Sequence, residues 1–284
     1  MTPSDVLAVV VSYNGGDAIA PTVSALRSQG VRVHIVDNGS DAPTLAALDA
    51  LAQDAGVSVE LLGRNLGVGH ALNRGVVKAR ALGATWLLTM DQDSLVDSGL
   101  VAAYARAAAR HPGGVCFAPT IDDSHHGEND RDASVPYAIT SGSVVRLSAF
   151  DEIGGYDEGF FIDCIDFDFS LRLRRRGHAI QRVHDARMRH RLGEAVTLPA
   201  FVRRVYARHS PARRYYMFRN YLYMAERYLL RFPTFIVKLG VLQLVLLPFI
   251  AVFDRRRLAS FRAVVSGVAD YARRRHGPYP GPAR

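Results

Sequence analysis

Residues 86–94 read Trp-Leu-Leu-Thr-Met-Asp-Gln-Asp-Ser, an apolar run that ends in two carboxylates one residue apart. The run is typical of a buried strand, and side chains two residues apart in an extended segment point the same way. Asp91 and Asp93 could therefore converge on one hard cation, because Mg²⁺ takes one or two protein carboxylates and completes its shell with water and phosphate oxygens. The same Asp-x-Asp pattern also occurs in ordinary turns and helix caps, so it does not decide the function alone.

The chain around this run alternates between strand and helix patterns. The predicted elements are strands at 6–11, 31–36, 57–62, 114–119 and 137–146 and helices at 18–29, 44–55 and 100–110. The βαβαβ order predicts an α/β fold with a Rossmann-like, mostly parallel central sheet and flanking helices. Such a sheet binds ligands outside the carboxyl ends of its strands. Three polar loops are expected there, at residues 12–14, 37–40 and 91–93.

The composition is that of a folded globular protein. The chain has 284 residues, of which 49% are hydrophobic and 22% are charged, which excludes disordered and fibrous classes. Cys116 and Cys164 lie in unrelated contexts and form no metal-binding spacing, as expected of free thiols in a reducing cytoplasm. The first residues lack a secretory pattern, so we expect a cytoplasmic location.

The charge is distributed unevenly along the chain. Residues 1–170 hold 10 Lys and Arg against 22 Asp and Glu, a balance of −12, whereas residues 171–284 hold 25 against 5, a balance of +20. A basic segment can bind nucleic acid, an anionic membrane surface or a phosphorylated substrate. The sequence has no recognisable nucleic-acid-binding motif. We therefore expect a membrane surface and a phosphorylated substrate, and no nucleic acid.

The sequence predicts an α/β domain at residues 1–198 and a basic, helical C-terminal extension at residues 199–284. Within the extension, residues 235–253 are apolar except for Lys238 and Gln243. At ~1.5 Å per residue this segment is barely long enough to span a bilayer. We favour a helix pair in the cytoplasmic leaflet, with residues 255–257 and 273–275, all arginines, on anionic headgroups. A buried helix, a homodimer interface and a transmembrane helix are the alternatives.

Several motifs, in this order, resemble those of the family 2 inverting glycosyltransferases of GT-A fold. They are Val11-Ser12-Tyr13-Asn14, Val36-Asp37-Asn38-Gly39-Ser40, Asn65-Leu66-Gly67-Val68-Gly69, Asp91-Gln92-Asp93, Gly154-Gly155-Tyr156-Asp157-Glu158 and the segment 161–168. The forms Phe-Ile-Asp-x-x-Asp and Arg-Tyr-Tyr-x-x-Arg-Asn, at 161–166 and 214–220, look particularly like bacterial L-rhamnosyltransferases that use dTDP-L-rhamnose. The resemblance covers about residues 6–228.

The resemblance implies a metal-dependent enzyme that moves L-rhamnose from dTDP-L-rhamnose to a saccharide hydroxyl. We expect that acceptor to be linked to polyprenyl diphosphate, in cell-surface polysaccharide or O-antigen synthesis. Asp37 would bind the base and Asp91 the ribose, and Asp93, with His190, would hold Mg²⁺ or Mn²⁺. The other residues implied to bind the nucleotide sugar are Ser12, Tyr13, Asn14, Asn38, Arg64, Asn65, Gly67 and Gln92. Those implied on the acceptor side are Thr140, Ser141, Gly142 and Gly155.

Asp166 is the predicted general base, because a positioned carboxylate can take the proton of an attacking hydroxyl. Many relatives carry Glu-Asp where this chain has Ile165-Asp166, so only the second carboxylate is retained. Asp163 is a rival or supporting carboxylate, and Asp168 is a further rival. If the segment is helical, Asp163 and Asp166 share a face at i and i+3.

Two other functions fit the same residues. The enzyme could use a UDP-sugar, such as UDP-galactofuranose or a UDP-hexose, because the residues that select the sugar are not evident from spacing. The chain could also be a sugar-nucleotide-binding scaffold without turnover. The presence of Asp91, Asp93 and Asp166 together argues against a scaffold.

Overall fold

The structure is a computed structural model that describes residues 1–121, 131–189 and 209–281. The chain forms two compact units. The first comprises Met1–Asp157 and Asp166–Arg191, and the second comprises Glu158–Ile165 and Leu192–Arg284. The short segment Glu158–Ile165 therefore belongs to the C-terminal unit, although the chain on both sides of it belongs to the first.

The first unit is a sheet with flanking helices. Its strands are β1 (Val6–Ser12), β2 (Arg32–Asp37), β3 (Val57–Leu61), β4 (Trp86–Asp91), β5 (Leu95–Val96), β6 (Cys116–Ile121), β7 (Ala133–Val135), β8 (Val144–Arg146) and β9 (Ile180–Arg189). Its helices are α1 (Ile19–Arg27), α2 (Ala42–Leu51), α3 (Val68–Ala81), α4 (Leu100–Arg110), α5 (Leu147–Ile153) and α6 (Ile165–Arg175).

The described strands form one mixed sheet in the order β3-β2-β1-β4-β8-β6-β9-β5, with β7 paired to β9. Strands β3, β2, β1 and β4 are parallel neighbours, and β6 is parallel to β9. Strand β8 runs antiparallel to both β4 and β6. The predicted α/β fold, with a Rossmann-like central sheet and flanking helices, is confirmed, and the sheet that was expected to be mostly parallel is mixed.

The first strand of the parallel half is apolar on both faces. Residues 6–10 of β1 are all buried, as expected for a strand covered by helices on each side. In the register of the sheet, Ser12 pairs with Asp37 of β2, and Val11 pairs with Asp91 of β4. The polar residues that end three neighbouring strands are therefore aligned at one edge.

The prediction of a strand over 137–146 is wrong for most of its length, because strand β8 is only Val144–Arg146. Residues 140–143 form a turn in which Gly142 has φ +78°. The N–H of Gly142 donates to the carbonyl of Thr89 at 2.7 Å, and the Thr89 hydroxyl donates to the carbonyl of Thr140. These long-range bonds hold the turn against β4.

The second unit contains the helices α7 (Pro211–Tyr228), α8 (Pro233–Phe253) and α9 (Arg257–Ala272). Ser210 caps α7, because its hydroxyl accepts the N–H of Arg213 at 3.3 Å. Helices α7 and α9 pack closely at Gly267, where a Cβ would lie 2.6 Å from the carbonyl oxygen of Tyr215. A side chain at position 267 would push the two helices apart.

Helix α8 confirms the predicted apolar helix of the C-terminal extension. Its mean hydropathy reaches 2.4 over 18 residues, of which 28% are buried. In the described part of the chain it is the one helix long and apolar enough to cross a membrane, a test that core helices of globular proteins also pass. Its exposed apolar side chains are Val237, Val241, Leu242, Leu244, Val245 and Val252.

Candidate active site

The candidate site begins at the aligned ends of β1, β2 and β4. Ser12 is fully buried at the end of β1, and within the described residues its hydroxyl has no hydrogen-bond partner. Asp37, at the end of β2, is 1% exposed. Asp91 ends β4 and is half-buried. Three oxygen-bearing side chains thus lie where parallel sheets bind ligands.

The Asp37 carboxylate organises the loop that follows β2. One oxygen accepts the N–H groups of Gly39 and Ser40, each at 3.0 Å, and the other accepts the Ser40 hydroxyl. Gly39 has φ +83°, and a Cβ there would lie 2.4 Å from the Cα of Arg64. The close approach brings the loop after β2 against the loop before α3. A carboxylate has about four acceptor positions, so Asp37 retains capacity for a further donor.

Asn38 and Asn65 bind the loop that enters α3. The Asn38 amide donates to Asn65 Oδ1 at 3.0 Å, and its oxygen accepts the N–H of Leu66 at 2.8 Å. Asn65 Oδ1 also accepts the N–H of Gly67 at 3.0 Å. Gly67 has φ +93° and provides no side-chain cap for α3. The first N–H groups of α3 and the exposed Arg64 nearby are suited to an anion.

Tyr13, Asn14 and Gln92 link the neighbouring loops. The Gln92 amide accepts the N–H of Tyr13 at 3.0 Å and donates to its carbonyl at 3.1 Å. Asn14 Oδ1 accepts the N–H of Asp41 at 2.8 Å. These amides therefore shape the site from within, whereas the Tyr13 side chain is 45% exposed and available to a planar ligand.

Asp93 is the exposed carboxylate of the Asp-x-Asp turn. Among the described residues it has no hydrogen-bond or ion-pair partner. The N–H of Asp91 donates to the Ser141 hydroxyl at 3.2 Å, which fixes the end of β4 against the 140–143 turn. No cluster of three or more His, Cys, Asp or Glu occurs in the described ranges, and His190 lies outside them. The two aspartates fit a cation that takes its other ligands from a diphosphate.

Asp166 lies in the first turn of α6 and is half-buried. Its Oδ1 accepts the N–H of Phe167 at 2.9 Å. The prediction that Asp163 shares a helical face with Asp166 is wrong, because α6 begins at Ile165 and both Asp163 and Cys164 have φ +62°. Left-handed residues cannot continue a right-handed helix, so the i, i+3 relationship does not form.

Asp168 differs from Asp166 in its surroundings. It is fully buried, and its carboxylate accepts the Arg172 Nε–H at 2.7 Å. A carboxylate that is buried and paired in this way is engaged in structure. The Arg172 guanidinium also donates to the carbonyls of Ile153 and Gly155, at 2.7 and 2.6 Å. Arg172 therefore attaches the turn at Gly154 and Gly155, here called the glycine turn, to α6, the helix that carries Asp166.

The glycine turn is also held from α3. Asn73 Oδ1 accepts the N–H of Tyr156 at 2.9 Å, and Asn73 Nδ2 donates to the Tyr156 carbonyl at 3.0 Å. Gly155 has φ +80°, and a Cβ there would lie 2.8 Å from Asn73 Oδ1. Sequence reasoning missed Asn73, whose position in α3 gives no signal of this contact. The i, i+4 spacing of Asp168 and Arg172 could have indicated their pairing.

A small pocket adjoins Asp166 in the first unit. Asp166 and Thr140 line it together with mostly apolar side chains from β6, β8 and α6. Ser141 and Gly142 lie in the turn beside it, and the Tyr104 hydroxyl donates to the Gly142 carbonyl at 2.5 Å. Of the acceptor-side residues named from the sequence, Thr140 is therefore the one at the pocket, and Ser141 and Gly142 support its wall.

Asp163 lies in the second unit, in a segment held by α7. The Asn220 amide donates to the carbonyls of Ile162 and Asp163, at 2.7 and 3.0 Å. Arg213 donates to Asp163 Oδ1 at 3.0 Å, while Oδ2 is buried with no partner within the described residues. Burial raises the pKa of Asp163, and Arg213 opposes that shift. Arg219 also donates to the carbonyls of Gly159 and Phe160, at 3.2 and 3.1 Å, so the Arg-Asn part of the motif at 214–220 stabilises this turn.

The model of the family described as Glycosyl transferase family 2 matches residues 7–164, which is more than half of the chain. The chain belongs to glycosyltransferase family 2. The predicted enzyme class, a glycosyltransferase, is confirmed. The match contains the loops after β1, β2 and β4 and ends just before Asp166.

Two curated relatives of this family 2 glycosyltransferase are named for rhamnosyl transfer, and a third is named for succinoglycan biosynthesis. It is 28% identical over 243 residues to the dTDP-rhamnosyl transferase RfbF of Shigella flexneri, covering 76% of this chain and 78% of the relative. It is 26% identical over 236 residues to the N-acetylglucosaminyl-diphospho-decaprenol L-rhamnosyltransferase of Mycobacterium tuberculosis, covering 66% and 76%. A shorter match, 38% over 96 residues, is to the succinoglycan biosynthesis protein ExoO of Rhizobium meliloti.

Solved structures with the same fold confirm that this glycosyltransferase has a GT-A-like fold. Residues 1–349 of S. aureus TarS in complex with UDP-GlcNAc match with a TM-score of 0.58 and 15% identity, over 94% of this chain and 72% of that one. GalNAc-T7 with UDP, GalNAc and Mn²⁺ matches with a TM-score of 0.58 and 17% identity, over 65% and 43%. At these identities the likeness concerns the fold alone.

Proposed function

We propose that this glycosyltransferase transfers L-rhamnose from dTDP-L-rhamnose to a hydroxyl of a saccharide linked to polyprenyl diphosphate, in cell-surface polysaccharide or O-antigen synthesis. The observation that carries the proposal is that two curated relatives, each matched over about two thirds or more of the chain, are both named for rhamnosyl transfer. The name of one of them also specifies a sugar on a diphospho-decaprenol.

The donor nucleotide is assigned to the carboxyl edge of the parallel strands. The exposed Tyr13 ring lies against the base, and the Asp37 carboxylate, which retains acceptor capacity beyond its own loop, accepts a base N–H. Asp91 accepts from the ribose hydroxyls. The uncapped start of α3 and Arg64 attract the diphosphate, because a helix N-terminus and a guanidinium both favour negative charge.

A divalent cation, Mg²⁺ or Mn²⁺, is assigned to Asp93 with support from Asp91. The exposed, unshared carboxylate of Asp93 in the described structure suits a hard cation with oxygen ligands. When bound, the cation stabilises the negative charge that develops on the leaving diphosphate. His190 is a further proposed ligand, from the part of the chain outside the described residues.

Asp166 is assigned as the general base of a single displacement. Its carboxylate takes the proton of the acceptor hydroxyl while that oxygen bonds to C1 of the rhamnosyl group. The bond from C1 to the diphosphate oxygen breaks, and dTDP leaves with the electron pair. Attack from the opposite face inverts the configuration at C1. Helix α6, fixed through Arg172 to the glycine turn, holds Asp166 for this step.

Donor screening tests this function. Release of dTDP from dTDP-L-rhamnose is compared with hydrolysis of UDP- and GDP-sugars, with Mg²⁺ or Mn²⁺ and with a chelator. We expect metal-dependent release from dTDP-L-rhamnose, lost in Asp93→Ala and kept in Asp49→Ala, which removes an exposed carboxylate from α2. Faster hydrolysis of a UDP-sugar would still indicate a glycosyltransferase, but it would reject dTDP-L-rhamnose as the donor. Binding of a sugar nucleotide without any turnover would favour the scaffold, and no binding of any sugar nucleotide would reject the proposed function.

The second unit is assigned to the inner face of the cytoplasmic membrane. Helix α8 exposes a row of apolar side chains, and arginines at 255–257 and 273–275 flank α9. Burying apolar area and pairing arginines with anionic lipids both favour peripheral association. At this membrane surface the enzyme would encounter a lipid-linked acceptor. We also propose that the glycosyltransferase domain comprises residues 1–198 and that the membrane-associating extension comprises residues 199–284.

Vesicle flotation tests this location with the full chain. We expect binding to vesicles containing phosphatidylglycerol, weaker binding to phosphatidylcholine alone, and loss of binding in Val241→Glu. The control is Val77→Glu, because Val77 of α3 and Val241 of α8 are both 54% exposed. Equal binding by both variants and wild type would contradict the assignment. A change in oligomeric state of Val241→Glu, seen by light scattering, would instead identify α8 as a homodimer interface.

A further inference from the structure

The pocket beside Asp166 has a floor made from two adjacent strands. Cys116 of β6 and Val145 of β8 are direct partners in the sheet, so their side chains lie on the same face. Both are 2% exposed and both line the pocket. Phe169 of α6 closes one side, and Ala138 precedes the 140–143 turn on another.

The two serine hydroxyls that line this pocket bond to backbone groups of the protein itself. The Ser143 hydroxyl donates to the carbonyl of Ile139 at 2.6 Å, and the Ser170 hydroxyl accepts the N–H of Ala138 at 3.1 Å. Burial raises the pKa of the Tyr156 hydroxyl well above its ordinary value, so it stays neutral. Burial raises the pKa of the Cys116 thiol to about 12, so it stays neutral. The side chains of Cys116, Val145 and Phe169 therefore give the pocket an apolar surface that it shares with the Asp166 carboxylate.

The size and lining of the pocket select the chemical group that fits it. It has room for about one group of the size of a water molecule or a methyl. A buried water needs two to four polar partners, and the two serine hydroxyls of the wall already bond to backbone groups of the protein. A methyl group needs none and gains from leaving water. The pocket is thus suited to a methyl attached to a ring whose hydroxyls reach Asp166.

We propose that this pocket binds the C6 methyl of a 6-deoxyhexose and so selects 6-deoxy sugars over their 6-hydroxy counterparts. The inference rests on the proposed function, in which a rhamnosyl group is transferred. The methyl belongs either to the donor sugar or to an acceptor sugar, and the two sources have the same chemistry. Val145 and Cys116 act as specificity residues at the base of the pocket.

The test measures a ratio of specificities. The donor arm compares dTDP release from dTDP-L-rhamnose and dTDP-L-mannose, which differ only by the C6 hydroxyl. The acceptor arm uses dTDP-L-rhamnose with octyl α-L-rhamnoside or octyl α-L-mannoside. In wild type we expect a preference for the 6-deoxy compound in one arm. In Val145→Ala that preference falls about tenfold, because removing two methyl groups makes space for a hydroxymethyl group.

Val144→Ala is the matched control. Val144 precedes Val145 on β8, is 1% exposed, and faces the main core with Leu88 and Met90. The Val144→Ala variant also loses two methyl groups, and it should keep the wild-type preference for the 6-deoxy compound. If Val145→Ala does not fold, Val145→Thr replaces it, because this side chain has nearly the same shape and places a hydroxyl in the pocket.

The outcomes separate the inference from the proposed function. A reduced preference in the donor arm assigns the methyl to the donor, and in the acceptor arm to the acceptor. An unchanged ratio in both arms, with wild-type turnover of dTDP-L-rhamnose, overturns the inference and leaves the proposed function intact. If dTDP-L-rhamnose is not turned over, the proposed function fails. In that case saturation-transfer NMR with methyl α-L-rhamnoside tests the pocket separately. A C6 methyl signal no stronger than the O-methyl signal would overturn the inference that the pocket binds the C6 methyl.

Discussion

The side chain of Asn73 holds the backbone of Tyr156 through two hydrogen bonds, one from the Tyr156 N–H at 2.9 Å and one to its carbonyl at 3.0 Å. Asn73 belongs to α3, which begins at the glycine loop assigned to the donor diphosphate. Tyr156 lines the pocket beside Asp166. This pair therefore connects the donor side of the first unit to the side that carries the proposed base.

Removing the Asn73 amide should loosen this connection. We expect Asn73→Ala to lower the free energy of unfolding by about 1–3 kcal/mol, because two buried backbone groups lose their partners. Asn73→Asp keeps the acceptor and loses the donor, so its effect should be intermediate. Urea unfolding measures both, with Gln53→Ala, at an exposed position just after α2, as a neutral control. Equal stability of all three variants would contradict a structural role for Asn73.

Breaking the buried Asp168–Arg172 pair should be costly. Asp168 is fully buried, so we expect Arg172→Ala to lower the free energy of unfolding by about 3–5 kcal/mol. The exposed pair between Arg80 and Asp151 provides the control, and Arg80→Ala should cost about 0–1 kcal/mol. Thermal or urea unfolding measures both changes. A cost for Arg172→Ala no larger than for Arg80→Ala would refute the role of the pair.

Replacing the proposed base should remove transfer and preserve donor binding. We expect Asp166→Asn to lower kcat by about 10²–10⁴, because the hydroxyl loses its proton acceptor, with the Kd for dTDP-L-rhamnose unchanged by calorimetry. Asp168→Asn should instead lower stability, since Asp168 is paired with Arg172. If Asp166→Asn retains transfer and Asp163→Asn abolishes it, Asp163 is the base.

Acid should destabilise the second unit through His209. Burial, with the nearby Arg213 and Arg214 charges, lowers the pKa of His209 to about 4, from an ordinary value of 6.5. The unfolded chain binds this proton more tightly, so the contribution of His209 to stability is fully present above pH 6.5 and is lost as the pH falls towards 4. The loss amounts to at most about 3 kcal/mol.

The measurement for His209 is the difference in Tm between wild type and His209→Gln from pH 7 to pH 4.5. We expect wild type to lose stability more steeply on acidification than the variant. His111→Gln, which removes an exposed histidine after α4, should follow the wild-type curve. Parallel curves for wild type and His209→Gln would show that the buried imidazole is not responsible.

Much of the first unit could be read from local sequence. Strands β1 and β4 are largely apolar runs followed at once by polar residues, and helix α4 occupies the predicted residues 100–110. Runs of this kind are diagnostic because a parallel strand is buried on both faces. The alignment of Ser12, Asp37 and Asp91 follows, since parallel strands end at the same edge.

Local sequence failed where contacts between distant residues set the conformation. The turn at 140–143 is held by Thr89, about 50 residues earlier, and Asn73 meets Tyr156 across 83 residues. Asp163 has a left-handed backbone because Asn220 of α7 binds the carbonyls around it. Propensity and spacing describe neighbours along the chain, and they carry no information about bonds that form only after packing. The strands and the acidic residues at their ends can therefore be predicted from the sequence. The contacts that position Asp166 and form its apolar pocket are decided only by the tertiary structure.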